Sequence, residues 1–483
     1  MAGDLAAQGA AAVLGRRRAG GAIILLITRV AGMAMGLVVM VMTAKTLGTQ
    51  GFGTFGFALS LVQIGMSFSD FGLGSLLIRE AAVAPRQLRS LLAWSVGTRF
   101  VVGTVVALLL AAFVALTVPA GEDRAATLLI IATLPVSAFW LGLSALQHLG
   151  LLRRLSVLML GQSVAWLAAT AMLVVQGAQL LAFALVYLLY SIGYAATVQF
   201  AVARAARDSA SAPVGRAPFT RLLRSAVPLG LTVVIIALYY RLDSIFVYRF
   251  SGAAAAGTYA VAYRFLDQAQ ALPITLSAVF LPLLSAARAA DRPSGAIFTS
   301  YLRISLLTSV PSVALVILIA EPLVLGVFGP AYQDSVALLQ LLIVSFVPIT
   351  VGYVLGHIAI VHRQARKQLL AAAIALAVSV SLNVVLIPIY GPRAAAIITV
   401  VTELAVVGTL YLTLRTPCGL VLPLGWIGRL AAATTGASLV GVALLSRGWI
   451  AGVAFALCFL VAGTLLRLVG RGELLALIPT RRR

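Results

Sequence analysis

Long runs of apolar residues, separated by short polar turns, fill almost the whole chain. A helix needs roughly 20 apolar residues to cross the hydrocarbon layer of a membrane. By that measure the turns divide the chain into fourteen predicted transmembrane helices. They lie near residues 21–46, 53–77, 91–118, 125–148, 155–176, 179–203, 225–249, 255–286, 301–328, 335–361, 368–389, 393–414, 425–446 and 449–468. The pattern therefore predicts an all-α, polytopic membrane protein.

The end of the first span is repeated at the end of the seventh. Residues 47–55 read LGTQGFGTF and residues 251–259 read SGAAAAGTY, so both contain glycine, four residues, and then Gly-Thr-aromatic. A second pair joins QGA at 176–178 to YGP at 390–392. A long repeat in a helical membrane protein is typical of two like bundles on either side of a transport pathway. Because each bundle contains an even number of helices, the two should have the same orientation.

The repeat and the longest polar stretch set the predicted domain limits. Two six-helix lobes are joined by a linker and followed by two helices that have no counterpart. The predicted segments are a cytoplasmic N-terminal tail (1–20), the N-terminal lobe (21–203), a cytoplasmic linker (204–224), the C-terminal lobe (225–415), the two additional transmembrane helices (416–470) and a basic cytoplasmic tail (471–483).

Composition and charge fit this arrangement. The chain is 62% hydrophobic and 10% charged, with a mean hydropathy of +1.08, so its solvent must be lipid. The net charge of +22 is distributed unevenly: 26 Lys and Arg residues fall on one side of the alternating loops and 5 on the other. The positive-inside rule places both termini in the cytoplasm. No basic face with interleaved aromatic residues occurs, so we predict no nucleic-acid partner.

The chain is poor in catalytic and metal-binding residues. It has two cysteines and three histidines, which imply neither a disulfide framework nor a metal site. No Walker motif is present, so we expect no ATP hydrolysis by this chain. We therefore predict a protein that is not an enzyme and has no cofactor.

Several short motifs resemble those of bacterial polysaccharide flippases. Three motifs resemble the N-terminal part of that family's sequences: KTLGTQGFGTFG at 45–56, SDFGLG at 69–74 and IRE at 78–80. Its later helices resemble RLDS at 241–244, GTY at 257–259, YR at 263–264, LPLL at 281–284, FGPAY at 328–332 and LIPIYG at 386–391. Together these motifs extend from about Arg29 to Arg415.

The resemblance implies membership of the multidrug/oligosaccharidyl-lipid/polysaccharide exporter superfamily. It implies a V-shaped, two-lobed bundle in the bacterial inner membrane that moves an undecaprenyl-pyrophosphate-linked glycan from the cytoplasmic to the outer leaflet by alternating access. The implied partners are the lipid-linked oligosaccharide, membrane lipids, H⁺ or Na⁺ as coupling ion, and the glycan polymerase machinery.

Eight charged residues within the spans are candidates for function. A charge near the bilayer centre costs about 2.5–3.5 kcal/mol, so it is kept only where it has a partner, a cavity or water. Arginine can replace the water around a diphosphate through bidentate hydrogen bonds, and ion coupling needs a buried acid. The candidate substrate-binding residues are Arg29, Arg99, Arg241 and Arg264. The candidate ion-coupling residues or charge partners are Asp70, Asp243, Asp267 and Glu403.

Structural roles remain open for several of these residues. Arg29 can extend to the cytoplasmic surface, and Arg99 can anchor a helix end. Arg264 and Asp267 are three residues apart on one helix face and can pair with each other. Asp70 can pair with Arg29 or cap a helix.

Three other functions compete with the flippase. A multidrug antiporter of the same superfamily should have a carboxylate-lined cavity for cations. A membrane glycan polymerase or ligase needs a large outer loop with catalytic groups, and no predicted outer loop exceeds about ten residues. A scaffold without transport leaves the repeat unexplained.

The charge asymmetry predicts the topology directly. Alkaline phosphatase fused after Thr49 or Ala120 should be active because both points lie outside the cytoplasm, whereas a fusion within 209–216 should be inactive. An active fusion within 209–216 would contradict the six helices predicted before the linker.

Overall fold

The computed structural model describes residues 2–74, 77, 88–205, 216–291 and 295–468, and these residues contain helices and turns but no β-strand. The helices are α1 (Ala2–Asp70), α2 (Leu88–Thr117), α3 (Glu122–Ile131), α4 (Thr133–Ser137), α5 (Gly142–His148), α6 (Leu152–Val175), α7 (Leu180–Ala205), α8 (Arg216–Ala269), α9 (Ala271–Ala289), α10 (Gly295–Phe328), α11 (Asp334–Leu342), α12 (Phe346–Val361), α13 (Ala365–Tyr390), α14 (Pro392–Cys418), α15 (Leu424–Ala443) and α16 (Trp449–Leu465). The predicted all-α class is confirmed.

The helices form two compact units, Met1–Ala237 and Leu238–Arg483. The division falls within α8, which contributes its first part to one unit and its second part to the other. α8 begins at Arg216, inside the predicted linker, while residues 206–215 and the predicted tail 471–483 lie outside the described residues. The domain limits drawn from the sequence stay a prediction.

The multi-pass class is clear, but the predicted number of fourteen spans is not confirmed. Ten stretches of the described residues are long and apolar enough to cross a membrane. Two of them, Ile27–Asp70 and Gly230–Ala289, are 44 and 60 residues long and each contains a glycine with non-helical dihedral angles. Each therefore corresponds to two predicted spans. The two predicted additional helices, α15 and α16, are not among the ten.

The sequence repeat is also a repeat of backbone geometry. Gly48 has φ 64° and ψ −175°, and its counterpart Gly252 has φ 87° and ψ 172°. Only glycine adopts this combination without strain, so the turn requires glycine at both places. The second pair agrees as well, with φ 60° at Gly177 and 63° at Gly391.

The repeat extends to a feature that the motifs do not show. The fourth predicted span is interrupted by a 3₁₀ segment at Ala138–Leu141, and the tenth is interrupted by another at Ile343–Ser345. A glycine with positive φ precedes each span, Gly121 at 154° and Gly329 at 95°. Both units therefore bend the equivalent helix.

The surface of the helices suits a lipid solvent. Large apolar side chains are widely exposed, and Leu116 and Val175 are each 88% exposed. The interior of the second unit instead buries aromatic rings, including Phe280 stacked on Tyr301 with centroids 4.5 Å apart. Apolar groups on the outside cost nothing in hydrocarbon, so the helices are held by close packing and internal polar contacts.

The last two helices pack on α10, within the second unit, through glycines. A methyl group built on Gly441 would lie 2.6 Å from the Leu318 side chain, and one on Gly452 would lie 2.6 Å from Ile319. Both contacts are with α10. Small residues allow helices to approach this closely in a membrane.

Candidate functional site

One stretch of α8 supplies side chains to two different polar clusters in the second unit. Residues 239–243 read YYRLD, so Arg241 and Asp243 are two positions apart. Two positions on a helix differ by about 200° in direction, so these side chains point to different sides. We call the group around Arg241 the cationic cluster (Arg241, Arg264, Asp267). We call the group around Asp243 the acidic pocket (Asp243, Asn383, Thr399, Thr402, Glu403).

The cationic cluster is built around one carboxylate. Arg241 donates hydrogen bonds from Nη2 to both oxygens of Asp267, at 3.2 and 3.4 Å. Arg264 lies farther away, with its Nη1 3.8 Å from Asp267 Oδ2. Tyr263 covers the Arg241 guanidinium at 5.0 Å from its ring centroid, and the Tyr263 hydroxyl donates to the backbone carbonyl of Tyr240 at 2.9 Å. The tyrosine thus holds Arg241 against Asp267.

The cluster carries more positive than negative charge. Arg241 neutralises Asp267 at hydrogen-bonding distance, and Arg264 then has no carboxylate of its own. The Nε of Arg264 is buried without a hydrogen-bond partner. The side chains of Arg264 and Asp267 are 24% and 20% exposed. The arrangement is suited to binding an anion, because a guanidinium with free N–H groups grips phosphate oxygens in pairs.

The acidic pocket holds a buried aspartate. Asp243 is 3% exposed. Its Oδ2 accepts a short hydrogen bond from the Tyr259 hydroxyl at 2.5 Å, and its Oδ1 accepts one from the backbone N–H of Ser244 at 2.6 Å. The hydroxyl of Thr399 approaches Oδ2 at 3.5 Å from α14. These donors stabilise a carboxylate away from water.

A second acid and two unpartnered oxygens complete the pocket. Glu403 is 2% exposed and interacts with the hydroxyl of Tyr240. Asn383 donates from Nδ2 to Ser379 Oγ at 2.9 Å, but its Oδ1 and the hydroxyl of Thr402 are buried without partners. The free volume of about 10 Å³ admits one water-sized particle. Carboxylate, amide and hydroxyl oxygens of this kind can hold a small hard cation or a proton.

The first unit has its own ion pair, between a buried arginine and a half-buried aspartate. Arg99 on α2 donates from Nη1 to Asp70 Oδ1 at 2.9 Å, and Arg99 is 7% exposed. The sequence left Asp70 as a partner of Arg29 or a helix cap, and the structure pairs it with Arg99 instead. Arg29 is exposed on α1, and no carboxylate pairs with it among the described residues.

The sequence missed the neutral members of both clusters. Tyr240, Tyr259 and Tyr263 are aromatic residues in apolar spans, which are usually packing residues. A usable signal existed on the other helices. Asn383 is the single asparagine of the chain and lies four residues after Ser379, and residues 399, 402 and 403 form a polar stripe at helical spacing.

The fold and the apolar helices define a multi-pass membrane protein with charged residues inside its helix bundles. A family profile described as "Polysaccharide biosynthesis protein" matches residues 19–288, which is more than half of the chain. The chain belongs to that family. No curated protein matches the chain in sequence.

Solved structures of the MOP superfamily share the fold. The chain is similar to the lipid II flippase MurJ in an inward closed conformation, with a TM-score of 0.74, 14% identity, and coverage of 92% of this chain and 98% of that one. It is also similar to an inward-facing multidrug resistance MATE family transporter, with a TM-score of 0.66, 15% identity, and coverage of 82% and 98%. A third similar structure is a MOP superfamily transporter from Pyrococcus furiosus, with a TM-score of 0.59, 14% identity, and coverage of 83% of this chain and 95% of that one. At these identities the matches establish the fold alone.

The ion pair of the first unit tests whether Asp70 has a structural or a coupling role. Asp70→Asn leaves Arg99 buried without its carboxylate, so we expect a loss of up to about 3–5 kcal/mol in stability. The double variant Asp70→Asn/Arg99→Met should recover most of it. Thermal unfolding in detergent measures both. Asp291→Asn, in an exposed pair with Arg288, is the control and should change little. Full stability of Asp70→Asn would contradict the structural role.

Proposed function

We propose that the protein flips an undecaprenyl-pyrophosphate-linked oligosaccharide from the cytoplasmic to the outer leaflet of the bacterial inner membrane by alternating access, and that Arg264 binds the pyrophosphate. The observation that carries this proposal is the surplus positive charge of the cationic cluster, present in a member of a polysaccharide biosynthesis family. In this proposal, separate enzymes synthesise and polymerise the glycan. The proposal also includes a contact between this protein and the glycan polymerase.

The chemistry of the substrate explains why an arginine is needed. A pyrophosphate crossing the hydrocarbon layer loses its water and must find other hydrogen-bond donors. Arg264 has five N–H donors in a planar fork, and its Nε has no hydrogen-bond partner among the described residues. Asp267 does not cancel this charge, since Arg241 already occupies the carboxylate. Arg264 can therefore exchange its contacts for phosphate oxygens.

The acidic pocket argues against a drug-binding cavity for cations at this place. A multidrug antiporter needs room for a drug-sized cation, and ligand pockets of that kind measure about 300–1,000 Å³. The free volume between Asp243 and Glu403 is about 10 Å³. The neighbouring cationic cluster would also repel an organic cation. The two acids instead suit a single small ion.

Ion coupling is the second part of the proposal. H⁺ or Na⁺ enters the acidic pocket, and Tyr240 links the pocket to the cationic cluster. Its hydroxyl interacts with Glu403, whereas its backbone carbonyl accepts the hydroxyl of Tyr263, the ring that covers Arg241. A change of charge at Glu403 is thereby passed to Arg241 through packed neighbours.

Arg264 provides the test of pyrophosphate binding. Arg264→Ala should abolish flipping at a normal level of folded protein, and Arg264→Lys should restore part of it because an ammonium cannot form two parallel hydrogen bonds to phosphate. Flipping is measured in vesicles with a lipid-linked oligosaccharide, and protein level by size-exclusion in detergent. We expect a loss of at least about tenfold for the alanine variant.

Arg288→Ala is the matched control. Arg288 also has an aspartate three residues later, but its pair with Asp291 is exposed, so transport should not change. The double variant Arg264→Ala/Asp267→Ala separates a ligand from a charge partner. If the double variant, in which Arg241 is the remaining cation of the cluster, transports like the wild type, Arg264 is not the required pyrophosphate ligand and this part of the proposal is wrong.

Glu403 provides the test of ion coupling. Glu403→Gln keeps the shape of the side chain and removes its ionisation, so flipping should lose its response to an imposed H⁺ or Na⁺ gradient. The gradient to which the wild type responds identifies the ion. Glu321→Gln, an exposed acid on α10, is the control and should keep the response. If the gradient drives flipping by the Glu403→Gln variant as well as it drives flipping by the wild type, Glu403 is not the coupling site.

A further inference from the structure

A groove in the first unit belongs to neither polar cluster. It has a volume of about 610 Å³ and lies between the beginning of α6 and the end of α7. Its wall combines charged and apolar side chains. The main ones are Leu152, Arg153, Arg154, Val157, Phe200 and Arg204.

The three arginines of the groove are exposed, and none of them forms an ion pair with a carboxylate of the described residues. Arg153 and Arg154 lie in the first turn of α6, and Arg204 lies in the last turn of α7. The charge asymmetry of the loops predicts that all three lie on the cytoplasmic side. In that topology they form a concentrated positive charge at the level of the phospholipid head groups.

The rest of the groove is apolar and opens onto the lipid-facing surface. Val157 is 64% exposed and Phe200 is 66% exposed. Each begins an apolar stripe that continues along its helix at helical spacing. The stripe residues are Leu160 and Val164 on α6, 39% and 50% exposed, and Leu189 and Ile192 on α7, 58% and 46% exposed. A ligand in the groove would therefore meet cations at one end and a continuous apolar surface at the other.

We propose that this groove binds an anionic phospholipid of the cytoplasmic leaflet. The phosphate lies among Arg153, Arg154 and Arg204, and the acyl chains follow the two stripes. Basic pockets between helices at this level bind anionic head groups, because each arginine gains a charged acceptor without leaving the interface. An acidic peptide would satisfy the arginines and leave the apolar stripes uncovered. A phospholipid satisfies both parts of the groove.

Lipid binding to the purified full-length protein tests the proposal. Native mass spectrometry would compare palmitoyl-oleoyl phosphatidylglycerol with the corresponding phosphatidylcholine. The groove variant is Arg153→Gln/Arg154→Gln/Arg204→Gln. The control variant, Arg363→Gln/Arg366→Gln/Arg415→Gln, removes the same charge from exposed arginines of the second unit. We expect phosphatidylglycerol to bind the groove variant roughly 10- to 100-fold more weakly, and the control variant within about twofold of the wild type.

Three results would overturn the proposal. The first is an equal loss of phosphatidylglycerol binding in both variants, which would indicate a general effect of charge. The second is displacement of phosphatidylglycerol by an equal concentration of undecaprenyl phosphate, which would assign the groove to a polyprenyl carrier. The third comes from the wild type, so it does not depend on the folding of a variant: a photoactivatable phosphatidylglycerol that labels neither 150–158 nor 200–204.

Discussion

The hydrogen-bonded pair of Arg241 and Asp267 determines what the surrounding charges can do. A carboxylate inside a membrane protein needs a cation or hydrogen-bond donors, and Asp267 has two cations within 4 Å. Arg241 takes both carboxylate oxygens, and the ring of Tyr263 keeps it there. The second cation, Arg264, is left in excess. A cluster with one spare positive charge is complementary to an anionic substrate, whereas a balanced ion pair would not be.

The same helix separates this positive charge from a negative site. Because Arg241 and Asp243 are two residues apart, α8 presents one to each side. Asp243 and Glu403 then share a pocket with room for a single small particle, and Tyr240 contacts both clusters. The proposed coupling between ion binding and pyrophosphate binding thus requires no long chain of contacts. It needs only that a change at Glu403 alter the position of Tyr240, one residue from Arg241.

The sequence predicted more of the architecture than of the contacts. Apolar runs gave the helices, and the two glycine motifs located Gly48 and Gly252, whose dihedral angles agree. Charged residues in spans were recognisable because lipid makes them costly. Their partners were not, since pairing depends on tertiary packing. Asp70 lies 29 residues from Arg99 and pairs with it across two helices, and the exact number of fourteen spans could not be confirmed.

Changing the charge of the transported head group tests whether the spare positive charge of Arg264 binds the substrate. Purified protein in vesicles would be given the same oligosaccharide on an undecaprenyl chain through a pyrophosphate or through a neutral linkage. We expect rapid flipping of the pyrophosphate lipid and little movement of the neutral one, because only the pyrophosphate can bind the spare charge of Arg264. Equal rates for the two lipids would contradict this expectation.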